Sequence, residues 1–299
     1  RVFKYEQGVQ GLRLILYGMF KKVVIADSLA PQVDTIFENY ATLNGGMLLL
    51  GLIYFTFQIY CDFSGYSDIA IGVAKIIGFN LTKNFNFPLF STNPVEFWKK
   101  WHISLTSWIR DYIYFPMALK TARKKSHYLI QYFNNIYIWI VTGFWHGANW
   151  TFIIWGLYWG IVLFVYGQIQ GTNTNNKILV NNRSNFLIKH YLIKTLKILS
   201  MFFISGVSFI IFRSESINDG FSYLLKMVSI DNFGLPSSNR FGIAYVFVII
   251  TLDYFLKKDP QLVHYFSSRK INFIFCVISI LALMFFASKR PSSFIYFQF

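Results

Sequence analysis

Two cysteines, Cys61 and Cys276, are all that a chain of 299 residues carries. They lie far apart in sequence, which excludes a disulfide framework and a thiolate metal site. Histidine is nearly as scarce: His102, His127, His146, His190 and His264 include no pair at a metal-ligand spacing with a helper carboxylate, so no metal is expected. Charge of one sign is also thin, with 13 acidic residues against 28 basic ones. No strand followed by a G-x-G-x-x-G turn, no serine nucleophile elbow and no phosphate-cradling loop occurs, so dinucleotide binding and a serine-acyl intermediate within this chain are disfavoured. Repeats of solenoid or transporter type are missing as well.

What is present is apolar. Hydrophobic residues make up 55% of the chain, aromatics 20% and charged residues only 14%, with a mean hydropathy of +0.43. These proportions lie outside the range of soluble domains and predict an all-α polytopic membrane protein. Apolar spans are read near residues 47–62, 129–147, 149–167, 198–212, 242–256 and 271–288. Sorting the lysines and arginines between them places 23 of 28 on one side and 5 on the other. By the positive-inside rule the richer side is cytoplasmic, so the net charge of +15 is a topology signal and nucleic acid is not an expected partner.

Along the chain, residues 9–30 read as a helix interrupted by Lys21 and Lys22, lying against the cytoplasmic interface, and then an acidic loop with Asp27, Asp34 and Glu38. The run Ser64-Gly65-Tyr66-Ser67-Asp68 is expected to break the span that begins at 47, leaving residues 69–79 as a short re-entrant stretch. Asn93, Pro94 and Glu96 have the grammar of a helix N-terminus. Trp98, Trp101, Leu105, Trp108 and Tyr112 then recur at steps of three or four, predicting one interfacial helix with an aromatic face that Pro116 closes. Arg123-Lys124-Lys125 reads as a basic loop. Residues 168–185 read as a cytoplasmic linker loop.

His146 is the most informative residue. It sits in Thr142-Gly143-Phe144-Trp145-His146-Gly147-Ala148-Asn149-Trp150, between two strongly apolar stretches. An ionisable ring at membrane depth is costly, so it is expected to face a cavity or to hydrogen-bond a neighbouring helix. In the first case it suits a general base, and Phe144, Trp145 and Trp150 are expected to enclose it. Asp62 and Asp68 are equally costly and each needs a partner. Asp62, Asp68 and His146 together also admit a transporter lined by titratable groups.

Five ordered motifs carry a resemblance: Asp62 to Asp68; Asn84-Phe85-Asn86-Phe87-Pro88; Glu96 to Leu105; Trp108-Ile109-Arg110-Asp111-Tyr112-Ile113-Tyr114; and Gly143-Phe144-Trp145-His146-Gly147. In this order the chain resembles the membrane-bound O-acyltransferase (MBOAT) family, and within it the bacterial alginate O-acetyltransferase branch. The resemblance runs from about residue 8 to the end and is weakest between 168 and 235. It implies a bundle of transmembrane helices, with re-entrant and interfacial helices around a central funnel. It implies a single domain over residues 1–299, expected to be the C-terminal two thirds or so of a longer multi-pass protein of a bacterial cytoplasmic membrane. It implies transfer of an acetyl group, with acetyl-CoA as donor and no permanently bound cofactor. The acceptor would be an exopolysaccharide, reached directly or through an extracytoplasmic SGNH-type esterase-like partner. The family's catalytic histidine maps to His146 and the other motif histidine to His102, which could bind the donor or relay a proton. Arg110, Asp111, Asn149, Asp62 and Asp68 are weaker binding candidates; Asn149 could donate to an oxyanion, and Tyr66 could stack on a sugar. D-alanyl transfer to teichoic acid, acylation of protein or lipid, and a scaffold role are the alternatives.

Overall fold

The computed structural model describes residues 4–122, 127–172, 183–236, 238, 240–258, 269–287 and 294–295. Every regular element among them is helical. Two compact units are formed: residues 1–85 with 223–299, and residues 86–222. Among the described residues, three helices are long and apolar enough to cross a membrane, Gly45–Ile76, Trp150–Gln170 and Lys189–Arg213.

The first unit is built around α1 (Tyr5–Met19), a π-helical segment (Phe20–Ala26), α2 (Asp27–Glu38) and the 32-residue α3 (Gly45–Ile76). Asn44 caps α3 by accepting the Met47 N–H at 2.9 Å. The expected break at Ser64-Gly65 does not occur: α3 runs through it without interruption, and no re-entrant stretch follows. The reason is a close antiparallel crossing with α1. A Cβ on Gly18 would meet the Gly65 carbonyl oxygen at 2.5 Å, and one on Gly11 would meet that of Gly72 at 2.6 Å. The small residues that suggested a turn instead let two backbones touch, as small residues do between membrane helices.

Lys21 and Lys22 interrupt the α-helix as expected, sitting within the π-helical segment, and Lys21 is only 3% exposed. Lys21 Nζ donates to Ser64 Oγ at 2.9 Å and lies 2.5 Å from Asp68 Oδ2; Lys22 Nζ lies 2.9 Å from Asp27 Oδ1 and 2.5 Å from Asp62 Oδ1. Buried charge is tolerable only when paired, and here each ammonium finds two partners. The stretch from Asp27 to Glu38, expected as a loop, is α2. From α11 (Gly242–Lys258), buried Asp253 accepts the phenol hydroxyls of Tyr17 at 2.9 Å and Tyr60 at 2.6 Å. Helix α12 (Arg269–Phe286) also belongs to this unit, and the residue at which the unit resumes, Tyr223, lies in α10 (Ile217–Val228).

The second unit contains α4 (Pro94–Trp98), α5 (Ile103–Ile109), a π-helical turn (Arg110–Tyr114), α6 (Phe115–Ala122), α7 (His127–His146), α8 (Trp150–Thr172) and α9 (Arg183–Arg213). The single aromatic helix expected after Asn93 is therefore two helices with a turn between them. Trp98 and Trp101, before and in the turn, are buried, whereas Trp108 and Tyr112 are 52% and 69% exposed. Pro116 does not end the segment; it lies in the first turn of α6, where the ladder is already offset by the preceding π turn. Helix α8 continues through Thr172 and α9 starts at Arg183, so the expected linker loop is helical at both ends; its centre, 173–182, lies outside the described residues, as do Arg123-Lys124-Lys125.

Candidate active site

His102 owes its position to the turn between α4 and α5. Asn93 Oδ1 accepts the Glu96 N–H at 2.8 Å, and Pro94 fills the first helical position. The Glu96 carboxylate accepts the Thr92 N–H at 2.8 Å and hydroxyl at 2.7 Å, and pairs with Lys100 at 2.5 Å, all of which hold its carboxyl down at about 2. One face of this knot is sealed by rings: Phe97 stacks on Trp101 and on Trp159, at centroid distances of 5.5 and 5.4 Å, while Trp98 meets Trp139 at 4.4 Å.

The chain then turns through His102 with φ of 46°, one of two non-glycine residues in the left-handed region among those described. Such strain persists only where the surroundings fix it, and it concentrates at functional sites. The His102 backbone carbonyl accepts both the N–H and the hydroxyl of Thr106, at 3.0 and 3.1 Å. Burial pushes the imidazole down to about 4, so it is neutral at physiological pH.

His102 lines a cavity of about 480 Å³ with Ser104, Trp108, Val141, Thr142 and Trp145. Its walls come from the α5 to π-turn region and from the last two turns of α7. Thr142 uses its hydroxyl within α7, donating to the Ile138 carbonyl at 2.8 Å, so the cavity is mainly apolar.

His146 is the last residue of α7. Its ring is surrounded by Trp145 at 5.0 Å, Trp155 at 5.1 Å, Phe212 at 5.1 Å and Phe152 at 6.3 Å between centroids. The enclosure differs from the expected one, because Phe144 and Trp150 are 61% and 68% exposed and do not supply these contacts. Phe152 and Trp155 were not singled out by motif, although their spacing of three, continued by Trp159 four further on, marks one face of α8. Phe212 comes from α9 and had no sequence signal. Helices α7 and α8 come together at Gly143, where a Cβ would lie 2.1 Å from the Phe152 carbonyl oxygen.

Among the weaker candidates, Asn149 has both ends of its amide engaged: Oδ1 accepts the Thr151 N–H at 3.1 Å, and Nδ2 donates to the Glu215 carbonyl at 3.3 Å. It caps α8 and ties down the loop after α9. Arg110 and Asp111 form an exposed ion pair, with Nε and Nη2 donating to the two carboxylate oxygens at 2.8 and 3.2 Å. Asp62 and Asp68 belong to the first unit and are held by Lys22 and Lys21. Tyr66 stacks on Phe294 at 4.6 Å. His102, His146, Arg110, Asp111 and Asn149 all belong to the second unit, but of these the cavity is lined only by His102. No cluster suited to a metal ion occurs among the described residues.

The sequence model of the membrane-bound O-acyltransferase family matches residues 4–214, which include all five motifs and both histidines. The chain belongs to the membrane-bound O-acyltransferase family. It is 34% identical over 240 residues to a protein of Azotobacter vinelandii named "Probable alginate O-acetylase AlgI", covering 80% of this chain and 44% of that one. It is 32% identical to the peptidoglycan O-acetyltransferase of Helicobacter pylori, covering 99% and 57%. The teichoic acid D-alanyltransferase of Bacillus subtilis is 29% identical, covering 58% and 45%. This member of the family spans about half the length of the curated relatives it matches.

Proposed function

We propose that the chain is the catalytic membrane region of an O-acyltransferase of a bacterial cytoplasmic membrane, moving an acetyl group from acetyl-CoA to a polysaccharide hydroxyl. The observation that carries this is His146, an imidazole packed edge to face by Trp145, Trp155 and Phe212 at the mouth of the α7–α8 hairpin, yet partly accessible. In this reading a neutral His146 nitrogen takes the proton of the acceptor hydroxyl as its oxygen attacks the thioester carbonyl. The carbonyl oxygen carries the negative charge until the C–S bond breaks; the thiolate leaves and recovers the proton, and an ester remains. Such a base supplies about 10²–10⁴-fold of rate. His102 sits in the cavity and is assigned to holding the thioester end of the donor. The absence of a serine elbow favours transfer that is direct or that passes to a separate SGNH-type partner outside the membrane.

The relatives named for O-acetylation of alginate and peptidoglycan support a polysaccharide acceptor and an acetyl group. The D-alanyltransferase relative keeps a second reading, transfer of D-alanine to teichoic acid. Mass spectrometry of envelope and secreted polymers from cells with and without the gene separates these outcomes. Loss of O-acetyl esters is the result expected; loss of D-alanyl esters with acetyl esters intact would select the second reading, and no change in either would contradict both.

A further inference from the structure

Four rings surround His146, and they are not equivalent. Phe152, Trp155 and Phe212 are 6%, 3% and 4% exposed, each wedged between α8 and its neighbours, so their positions are fixed by close packing. Trp145 is 59% exposed. Its indole meets the imidazole edge at 5.0 Å and an interplanar angle of 71°, and the same side chain lines the cavity that holds His102. Trp145 therefore both lines the cavity and touches the His146 ring, and it is the one of the four that close packing does not lock.

We propose that Trp145 is the specificity-determining partition of this site: whatever thioester enters the cavity on the His102 side reaches His146 past the indole, and the bulk of that indole restricts the acyl group to a short one. The cavity of about 480 Å³ falls within the range of small-ligand pockets, roughly 300–1,000 Å³. Beside His102, Ser104 and Thr142 it is lined by Leu105, Ile109, Ile113 and Val141, a mainly apolar surface that tolerates a longer alkyl chain, so discrimination by length is assigned to a steric stop. An indole standing edge-on to the base supplies one. This rests on the acyltransfer reading above and adds to it the residue that chooses the acyl group.

The test uses the full-length protein in membranes, with acetyl-, propionyl-, butyryl- and hexanoyl-CoA as donors and ester formation on the polymer as readout. Wild type is expected to favour acetyl, with kcat/KM falling on the order of tenfold for each added methylene. Trp145→Ala is expected to raise the butyryl to acetyl ratio at least about tenfold, chiefly through KM for the longer donor, and Trp145→Phe to fall between. The intermediate variant keeps the test decisive if the alanine variant does not assemble. Active variants that retain the wild-type chain-length profile overturn the inference while leaving acyltransfer intact, and so does an equal loss for every donor. Wild-type protein inactive with all four thioesters sinks the acetyl-CoA reading on which the inference rests.

Discussion

Lys21 Nζ and Asp68 Oδ2 lie 2.5 Å apart inside the first unit, where their side chains are 4% and 16% exposed. Removing either partner alone leaves a largely buried charge without its ion-pair partner. Lys21→Met and Asp68→Leu are each expected to cost about 3–5 kcal/mol, and the double variant much less than their sum. Denaturant unfolding in detergent measures this. Additive losses would contradict the pairing.

Gly143 and Gly167 give opposite expectations for the same change. At Gly143 a Cβ would lie 2.1 Å from the Phe152 carbonyl oxygen, and backbone on both sides has no rotamer to yield, so Gly143→Ala is expected to cost about 1–3 kcal/mol or more and to disturb the His146 pocket. At exposed Gly167 nothing lies within 4 Å, so Gly167→Ala is expected to be neutral or to stabilise α8 by about 0.5–1 kcal/mol. Thermal unfolding of the two variants side by side checks the contrast.

The contrast between these glycines also marks what the sequence could convey. Composition and hydropathy were enough for an all-helical chain with membrane spans, because burying backbone in lipid leaves few alternatives. Asn93, Pro94 and Glu96 were legible as a helix start because capping is local chemistry. The continuity of α3 through Ser64-Gly65 was not, since it depends on Gly11 and Gly18 meeting Gly72 and Gly65. A seven-residue glycine spacing in both segments was there to be read, but only the packed helices give it meaning. The pairing of Lys21 and Lys22 was hidden for the same reason: their partners Asp68 and Asp62 lie 47 and 40 residues away. At the candidate site, His146 stood out as an ionisable group between apolar stretches, and His102 entered through the motif resemblance. The strained backbone at His102 and the contribution of Phe212 arise only from tertiary packing.

His102 should titrate far from the ordinary histidine value of 6.5. Burial holds its folded-state value down at about 4, so between pH 6.5 and 4 the unfolded chain binds a proton that the folded chain does not. Its contribution to stability is therefore full above pH 6.5 and declines as pH falls through that window. Histidine-labelled NMR in detergent, assigned by comparison with His102→Gln, is expected to show a midpoint near 4. A midpoint near 6.5 would place the ring in water instead of in the cavity.

In the proposed reaction His146 removes the acceptor's proton. The most direct test of this step is the rate of acetyl transfer from acetyl-CoA in membranes containing full-length His146→Gln, with unfolding temperature measured on the same preparation. A fall of about 10²–10⁴-fold is expected, with the unfolding temperature unchanged within a few degrees. Transfer at the wild-type rate by the folded variant would contradict it.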